Sequence, residues 1–377
     1  MDIERVLGGN EDSDASWRPF VFDGAIAEDQ SRLAALAASG TVFARHDTFL
    51  DQLRDLIAAR HPAETLARPR LDEEVARCLA GAPASHHGRW VYYPWSGRLV
   101  HLLAPSAFRE LRSDRNRNKI TPEEQARLRD AAIGVIGLSV GQASALTLAL
   151  EGVGGRFRLA DFDTLSLSNL NRLRAGTYEL GVNKAVITAR QMFEIDPYLE
   201  IEIFADGVTD ANLAAFLGDG PDRLGVLIEE CDDLRVKILA PEGARDRRIP
   251  VVMDTNDRGL LDVERFDLEP DRPIIHGRLG TLDARALDGL STTEKIPHLL
   301  KLVGEQTLSP RLASSMRDIK RTLSSWPQLA SGVALGGALV TDAARRVLLG
   351  EPIRSGRYYV DVEEIIAGEN RADSGGI

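Results

Sequence analysis

The run from Ala132 to Ala160 alternates continuous apolar stretches with small-residue stretches, and that pattern sets the local structure. Ile133, Val135 and Ile136 read as a fully buried strand, Gly137-Leu138-Ser139-Val140-Gly141 as a tight turn, and Ala143 to Leu150 as a small-residue helix. A second strand follows, Phe157 to Ala160, and it ends on Asp161. Downstream the pattern predicts a helix over Val186 to Phe193, a strand over Ile201 to Phe204 and a helix over Ala211 to Leu217. It then predicts a strand over Val226 to Ile228, a helix over Leu234 to Ala240 and a strand over Val251 to Met253. Such alternation implies an α/β fold, a doubly wound, mostly parallel sheet covered on both faces.

The flanking segments read differently. Residues 1–17 are polar and expected to be loose, and residues 18–108 read as an accessory α+β domain. Leu50, Leu53, Leu56 and Ile57 recur at helical spacing within Thr48 to Arg60, with Asp47 as the expected cap, and a further helix is expected from Asp72 to Ala80. Trp90 to Leu103 reads as two strands around Ser96-Gly97, with Pro94 arguing for a sheet edge. Trp90, Tyr92, Tyr93 and Trp95 crowd that first strand, which suits core or dimer packing or an aromatic peptide-binding edge. Thr121-Pro122-Glu123-Glu124 marks a helix start, with Pro at the first helical position and acids in the first turn. Thr281 to Trp326 is less regular, with Ser291-Thr292-Thr293 read as polar loop. An Ala- and Gly-rich helix is expected over Gly332 to Leu349, then a closing strand over Arg357 to Val362, then a disordered tail over residues 367–377.

Composition narrows the class. A chain of 377 residues that is 44% hydrophobic and 27% charged can bury a substantial core and is long enough for two domains. Met1-Asp2-Ile3-Glu4 starts acidic with no secretion signal, and two cysteines fit a reducing cytoplasm. Leu329 to Val340 is too short to cross a bilayer, and a net charge of -11 gives no footprint for nucleic acid, so neither a membrane nor a nucleic-acid partner is expected.

The chemistry gathers after the glycine turn. Free N–H groups at the start of the helix suit an anion, so a phosphate is expected at Gly137 to Gly141, with Asp161 placed to accept ribose hydroxyls. Alone, such a turn also serves proteins that bind NAD, FAD or nothing. Asp163, Asn169, Arg172 and Lys184 add two cations and an amide just beyond the ribose acid, more positive charge than a dinucleotide needs and enough for a triphosphate. The bland alternative is that Arg172 and Lys184 are solvated loop charges.

These motifs resemble the ubiquitin-activating-type adenylyltransferase superfamily, the ThiF, MoeB and HesA proteins. The resemblance rests on Asp161-Phe162-Asp163, Ser168-Asn169-Leu170-Asn171-Arg172, Gly181-Val182-Asn183-Lys184, Asp196-Pro197 and Cys231-Asp232-Asp233, and runs from about Arg115 to about Val362. It is nearest to the ThiF-like half of actinobacterial proteins that also carry a nitroreductase-like half, absent from this sequence. It implies a Rossmann-like adenylation domain over residues 109–366 in a homodimer, which joins a carboxylate to the α-phosphate of ATP. By the same resemblance Gly137, Ser139 and Gly141 hold the nucleotide and Asp161 takes its ribose. Asn169, Arg172 and Lys184 face its phosphates, with Asp163 as a supporting acid, and Asp232 holds magnesium. Arg117, or Arg115 in its place, crosses into the partner subunit's ATP site. One departure stands out: the family spaces its turn Gly-x-Gly-Gly-x-Gly, whereas Ser139 replaces a glycine here and the turn is one residue shorter.

Cysteine usage separates the family's branches. Only Cys78 and Cys231 exist, so no cysteine follows Asp233 to carry a thioester in the family's usual place, and without a Cys-x-x-Cys pair no zinc is expected. Cys231, between Glu230 and Asp232, is disfavoured as a thiolate; Cys78 reads as helix packing and His86-His87 as surface loop. His276, after the apolar strand Pro273-Ile274-Ile275, reads either as a structural histidine or as a base facing the pocket. The expected activity is ATP-dependent adenylation of a peptide or small ubiquitin-like protein at its C-terminus, releasing pyrophosphate and passing the acyl group to a sulfur donor, an amine or an internal amide. Two alternatives remain: a NAD- or flavin-binding redox partner of a nitroreductase-like protein, and a non-catalytic nucleotide-binding platform.

Overall fold

The computed structural model describes residues 16–280, 282, 284–287, 292–304, 307–319, 321–323 and 325–367. The chain divides into two compact units, the first comprising residues 1–123 with 189–199 and the second residues 124–188 with 200–377. Within the first unit, the Arg109 guanidinium donates to the Tyr198 carbonyl at 2.7 Å, and Arg109 and Arg112 both approach the Asp196 carboxylate.

In the first unit, β1 (Phe20–Asp23), β2 (Ala44–Asp47), β3 (Arg89–Tyr93) and β4 (Arg98–Leu102) form one sheet in the order β1-β3-β4-β2. Helices α1 (Ala27–Ala38), α2 (Phe49–Arg60), α3 (Arg68–Leu79) and α4 (Pro105–Arg112) accompany it. The edge assignment drawn from Pro94 is corrected: that proline lies just beyond β3, and β3 is a central strand paired on both sides. Trp90, Tyr92 and Tyr93 are core residues rather than a peptide-binding edge. The N-cap position of α2 is Thr48 rather than Asp47, whose carboxylate meets His101 Nδ1 at 2.9 Å and also takes the Phe49 N–H. His101 has no exposed surface and is stacked between Phe49 and Trp90. Cys78 is exposed on α3 rather than packed. Ser16 and Trp17 are tied down, Ser16 by its carbonyl to Arg190 and Trp17 against Phe193, while residues 1–15 of the expected loose start lie outside the described residues.

The second unit holds a seven-stranded sheet in the order β11-β10-β9-β8-β5-β6-β7. β5 (Ala132–Ile136), β6 (Arg156–Ala160), β7 (Glu200–Phe204), β8 (Val226–Glu229) and β9 (Val251–Thr255) are parallel. β10 (Leu260–Glu264) and β11 (Gly356–Tyr359) complete the sheet as antiparallel strands. Helices α5 (Pro122–Arg129), α6 (Gly141–Glu151), α7 (Lys184–Ile195), α8 (Leu213–Leu217) and α9 (Val236–Asp246) follow the predicted alternation. The α/β, mostly parallel, doubly wound fold is as expected. Phe216, Leu227, Ile238 and Phe266 are fully buried in its core.

Differences concentrate at the C-terminal side. The segment read as irregular contains α10 (Thr292–Val303) and α11 (Pro310–Asp318). Thr292 and Thr293 begin a helix, while Ser291 lies outside the described residues. After α12 (Ala330–Leu349), the closing strand ends at Tyr359 and Val362 opens the short helix α13 (Val362–Ala367). Residues 368–377 of the expected tail are outside the described set. No helix among the described residues is long and apolar enough to cross a membrane.

Candidate active site

The turn after β5 is forced by close packing. Gly137 has φ of +83°, and a Cβ there would lie 2.6 Å from the Cys231 nitrogen and from the Glu230 carbonyl carbon, so only glycine fits. The turn thus runs directly against the end of β8, where Cys231 and Asp232 follow. Leu138 N–H, at the tip of the turn, donates to Asp161 Oδ2 at 2.6 Å, and Asp163 N–H donates to Asp161 Oδ1 at 2.8 Å. Asp161 therefore braces the turn, a role not drawn from sequence. Burial pushes its carboxyl above the usual range, opposed by Lys184 and by those two N–H donors.

Asn183 sets the position of Lys184. Its Oδ1 accepts Ala185 N–H at 2.9 Å, capping α7, and its Nδ2 donates to the Asp161 carbonyl at 3.0 Å. Lys184 is consequently the first residue of the helix, buried, with Nζ 2.7 Å from Asp163 Oδ2. Asn169 stands in a short turn where its Oδ1 accepts Ser166 N–H at 3.1 Å.

Arg172 is positioned by a residue the sequence reading passed over. Gln142, at the start of α6, donates from Nε2 to the Arg174 carbonyl at 3.2 Å and accepts Arg174 N–H on Oε1 at 2.8 Å. Two reciprocal bonds pin the arginine segment to the helix that begins at the glycine turn. Burial pulls the Arg172 guanidinium below its ordinary value, and the Asp232 carboxylate pushes back. Its NH1 donates to Asn171 Oδ1 at 2.9 Å, while its Nε is buried without an acceptor. Ser139 Oγ, in the turn, is likewise buried without a partner.

Arg117 lies in the first unit, where its guanidinium pairs with Asp114 at 3.1 Å. Arg115 stands in a short 3-10 turn, Asp114–Asn116, just before it.

β8 ends in an acid, Glu229, and β9 carries one, Asp254, just before its last residue. Glu229 has no exposed surface and accepts Lys237 Nζ at 2.8 Å. Burial works against the Lys237 ammonium, yet Glu229 and Glu230 hold it above its usual value. Glu230 accepts the Asp254 N–H at 3.0 Å. Burial, then the Asp254 charge, drives the Glu230 carboxyl well above its ordinary range, and burial pushes Asp254 up to about 6. Sequence reading missed Glu230, Lys237 and Asp254; an acid closing each of two adjacent apolar strands was the available signal.

Cys231 is a poor nucleophile, as expected, though the leading cause is burial, with Glu229 next; together they push its thiol up to about 12. His276 is a structural histidine. The predicted strand before it is a tight bend, with Ile275 and His276 both at positive φ. Its Nε2 lies 2.6 Å from Asp262 Oδ1, Arg272 donates to its Nδ1 at 2.8 Å, and its backbone N–H donates to Glu264.

A cavity of about 1280 Å³ opens within the second unit, lined by Glu230, Asp232, Lys237 and Asp254 and by apolar side chains such as Leu302 and Trp326.

Residues 113–257 match the ThiF family. The uncharacterized protein MT1398 of Mycobacterium tuberculosis is 50% identical over 274 residues, which cover 73% of this chain and 38% of that protein. The tRNA threonylcarbamoyladenosine dehydratase of Escherichia coli K12 is 30% identical over 135 residues, covering 35% of this chain and 49% of that one. A probable molybdopterin-synthase adenylyltransferase of Porphyra purpurea is 28% identical over 127 residues, 31% of this chain and 33% of that one. The matches thus span about half or less of each relative's length. The glycine turn, the Asp161 brace, Lys184, Arg172 and Asp232 all fall inside the matched stretch, and residues 113–257 are a ThiF-family domain.

Proposed function

We propose that the second unit adenylates a carboxylate, the C-terminus of a peptide or small ubiquitin-like protein, at the expense of ATP. The observation that carries this reading is a pair of buried donors lacking acceptors, Ser139 Oγ in the glycine turn and Arg172 Nε near Asp232. A hydroxyl just before a helix and a guanidinium N–H, both without acceptors, fit an anionic ligand, since a phosphate oxygen supplies the missing acceptors.

In the reaction a carboxylate oxygen attacks the α-phosphorus. A new oxygen–phosphorus bond forms, and the bond from the α-phosphorus to the bridging oxygen breaks, so pyrophosphate leaves with the electron pair. The turn N–H groups and Ser139 hold the α-phosphate, while Arg172, Lys184 and the Asn169 amide donate to oxygens that gain charge. Preset donors avoid reorganisation at the moment of reaction, and Asp163 keeps Lys184 in place beforehand. Asp161 retains free lone pairs for the ribose hydroxyls. Asp232, an exposed hard oxygen ligand, suits a magnesium ion, which would neutralise charge across the phosphates when bound. In a homodimer, Arg117 of one copy reaches the site of the other.

With no cysteine after Cys231, the acyl group passes straight to its acceptor. Mass spectrometry of reactions containing ATP and the small proteins or peptides encoded beside this chain tests the reading. An acyl-adenylate and pyrophosphate support it; a copurifying flavin, hydride transfer, or bound ATP that stays intact overturns it.

A further inference from the structure

Glu229 closes β8, a strand whose preceding residues Val226, Leu227 and Ile228 are apolar and fully buried, and it has no exposed surface itself. Its carboxylate has a donor on each oxygen. Lys237 Nζ, from the first turn of α9, donates to Oε2 at 2.8 Å, and the Cys231 N–H donates to Oε1 at 2.9 Å. The lysine side chain is only 14% exposed, so both members of the ion pair are largely out of water. Burial raises the Glu229 carboxyl, and Lys237 leads the groups that oppose it.

Stability alone does not account for such a pair. Apolar side chains of similar volume in place of a buried ion pair often leave a protein as stable or more so, because desolvation of both charges offsets their attraction. What the pair adds is position. Donors on separate oxygens fix the plane of the carboxylate, which in turn fixes the backbone of Cys231. That backbone nitrogen is also where the glycine turn packs, 2.6 Å from the place a Cβ on Gly137 would occupy. The same bond thus holds the loop after β8 against the glycine turn.

The other side of the loop is held as firmly. Asp233 N–H donates to Cys231 Sγ at 3.3 Å, and Asp233 Oδ1 accepts the Arg235 and Val236 N–H groups at 2.7 and 3.2 Å. The Asp233 carbonyl accepts the Lys237 N–H at 3.0 Å. Asp232 stands between these anchors with its side chain exposed, and none of the bonds that hold the loop uses its carboxylate. Both neighbours of Asp232 are therefore fixed while its oxygens stay open to a ligand.

We propose that Glu229 and Lys237 are positioning residues for the metal, a braced pair that presets Asp232 before any ligand arrives. The role rests on reading Asp232 as the magnesium ligand. Loss of a partner that orients a metal ligand weakens metal binding ~10–100-fold, so the brace should be visible in metal affinity.

The probe is α,β-methylene-ATP, whose bridge between the α- and β-phosphates the reaction cannot break, titrated into the full chain by calorimetry with magnesium and with EDTA. The ratio of the two affinities measures the metal's contribution, and Asp232→Ala marks its value once the ligand is gone. Glu229→Leu combined with Lys237→Met replaces the pair by apolar side chains. That double variant is expected to lose about tenfold of the ratio while its affinity for the metal-free nucleotide stays near that of the unaltered chain, with thermal unfolding showing that it is folded. A pair with a merely structural role would lower both affinities together. Amide exchange across residues 231–233 of the unaltered chain needs no variant: it should be slow before ligand is added and change little with magnesium and nucleotide. An undiminished ratio in the folded double variant, equal loss of both affinities, or a loop protected only after metal and nucleotide bind overturns the brace. No gain from magnesium in the unaltered chain removes Asp232 from metal binding and the brace with it. The titrations contain no carboxylate partner, so a failure of adenylation registers only in the product assay.

Discussion

Lys184 Nζ lies 2.7 Å from Asp163 Oδ2, the lysine side chain only 5% exposed and the aspartate half-exposed. The cation is therefore held from its solvent side and preset at the start of α7. Asp163→Ala leaves a buried ammonium without its partner and should cost ~1–3 kcal/mol. Urea unfolding reads the loss, and pairing the change with Lys184→Met should restore most of it. A neutral Asp163→Ala would contradict the role given to that acid.

Arg172 and Asp232 face each other electrostatically but carry little of the fold. Each change to Ala should slow pyrophosphate release ~10²–10³-fold while leaving the unfolding midpoint near that of the unaltered chain. A near-normal rate in either variant removes that residue from the site.

Arg117 is assigned to the partner copy's site, which makes a distinctive prediction. Mixing Arg117→Ala chains with Lys184→Ala chains should recover activity, because each heterodimer contains one intact composite site. No recovery under conditions where the chains exchange argues against sharing.

Cys231 should be dispensable. A thiol pushed up to about 12 is almost wholly protonated at pH 8, so Cys231→Ser should keep adenylation and the unaltered protein should resist iodoacetamide at that position. Loss of acyl-adenylate in the serine variant would reopen a covalent role.

Glu264 gives the second unit a pH-dependent stability. It is fully buried; one oxygen accepts the His276 N–H at 3.0 Å and the other has no partner. Burial, then the nearby Asp262 charge, pushes its carboxyl from an ordinary 4.5 up to about 7. The folded chain thus holds this proton more tightly than the unfolded chain. Its contribution is fully present below about 4.5 and is lost as pH rises through about 7, up to ~3 kcal/mol. Glu264→Gln should flatten the fall in stability between pH 5 and pH 8 in chemical denaturation, and an unchanged slope would rule the group out.

The parallel half of the sheet was legible because strands such as Val226–Glu229 are apolar runs, and continuous burial on both faces leaves no other reading. β10 was not, because Leu260–Glu264 carries two acids that are buried only through distant partners: Arg357 Nε at 2.8 Å from Asp262, and the His276 backbone at Glu264. The Pro273-Ile274-Ile275 run is a bend rather than a strand, with Ile275 and His276 at positive φ and the His276 N–H on Glu264. Pro94 misled because it stands one residue beyond β3, where a proline breaks no ladder bond. At the site, the glycine turn and the residue types after it pointed to phosphate chemistry. The bracing role of Asp161 and the clamp of Gln142 on Arg174 depend on a fold that sequence spacing does not convey.

Exchange of labelled pyrophosphate into ATP tests the central claim most directly, because exchange requires reversible formation of an acyl-adenylate. In the presence of a carboxylate partner, the unaltered chain should incorporate label and Asp232→Ala should not. Tight ATP binding with no exchange for any carboxylate offered, or exchange undiminished in Asp232→Ala, would contradict the account.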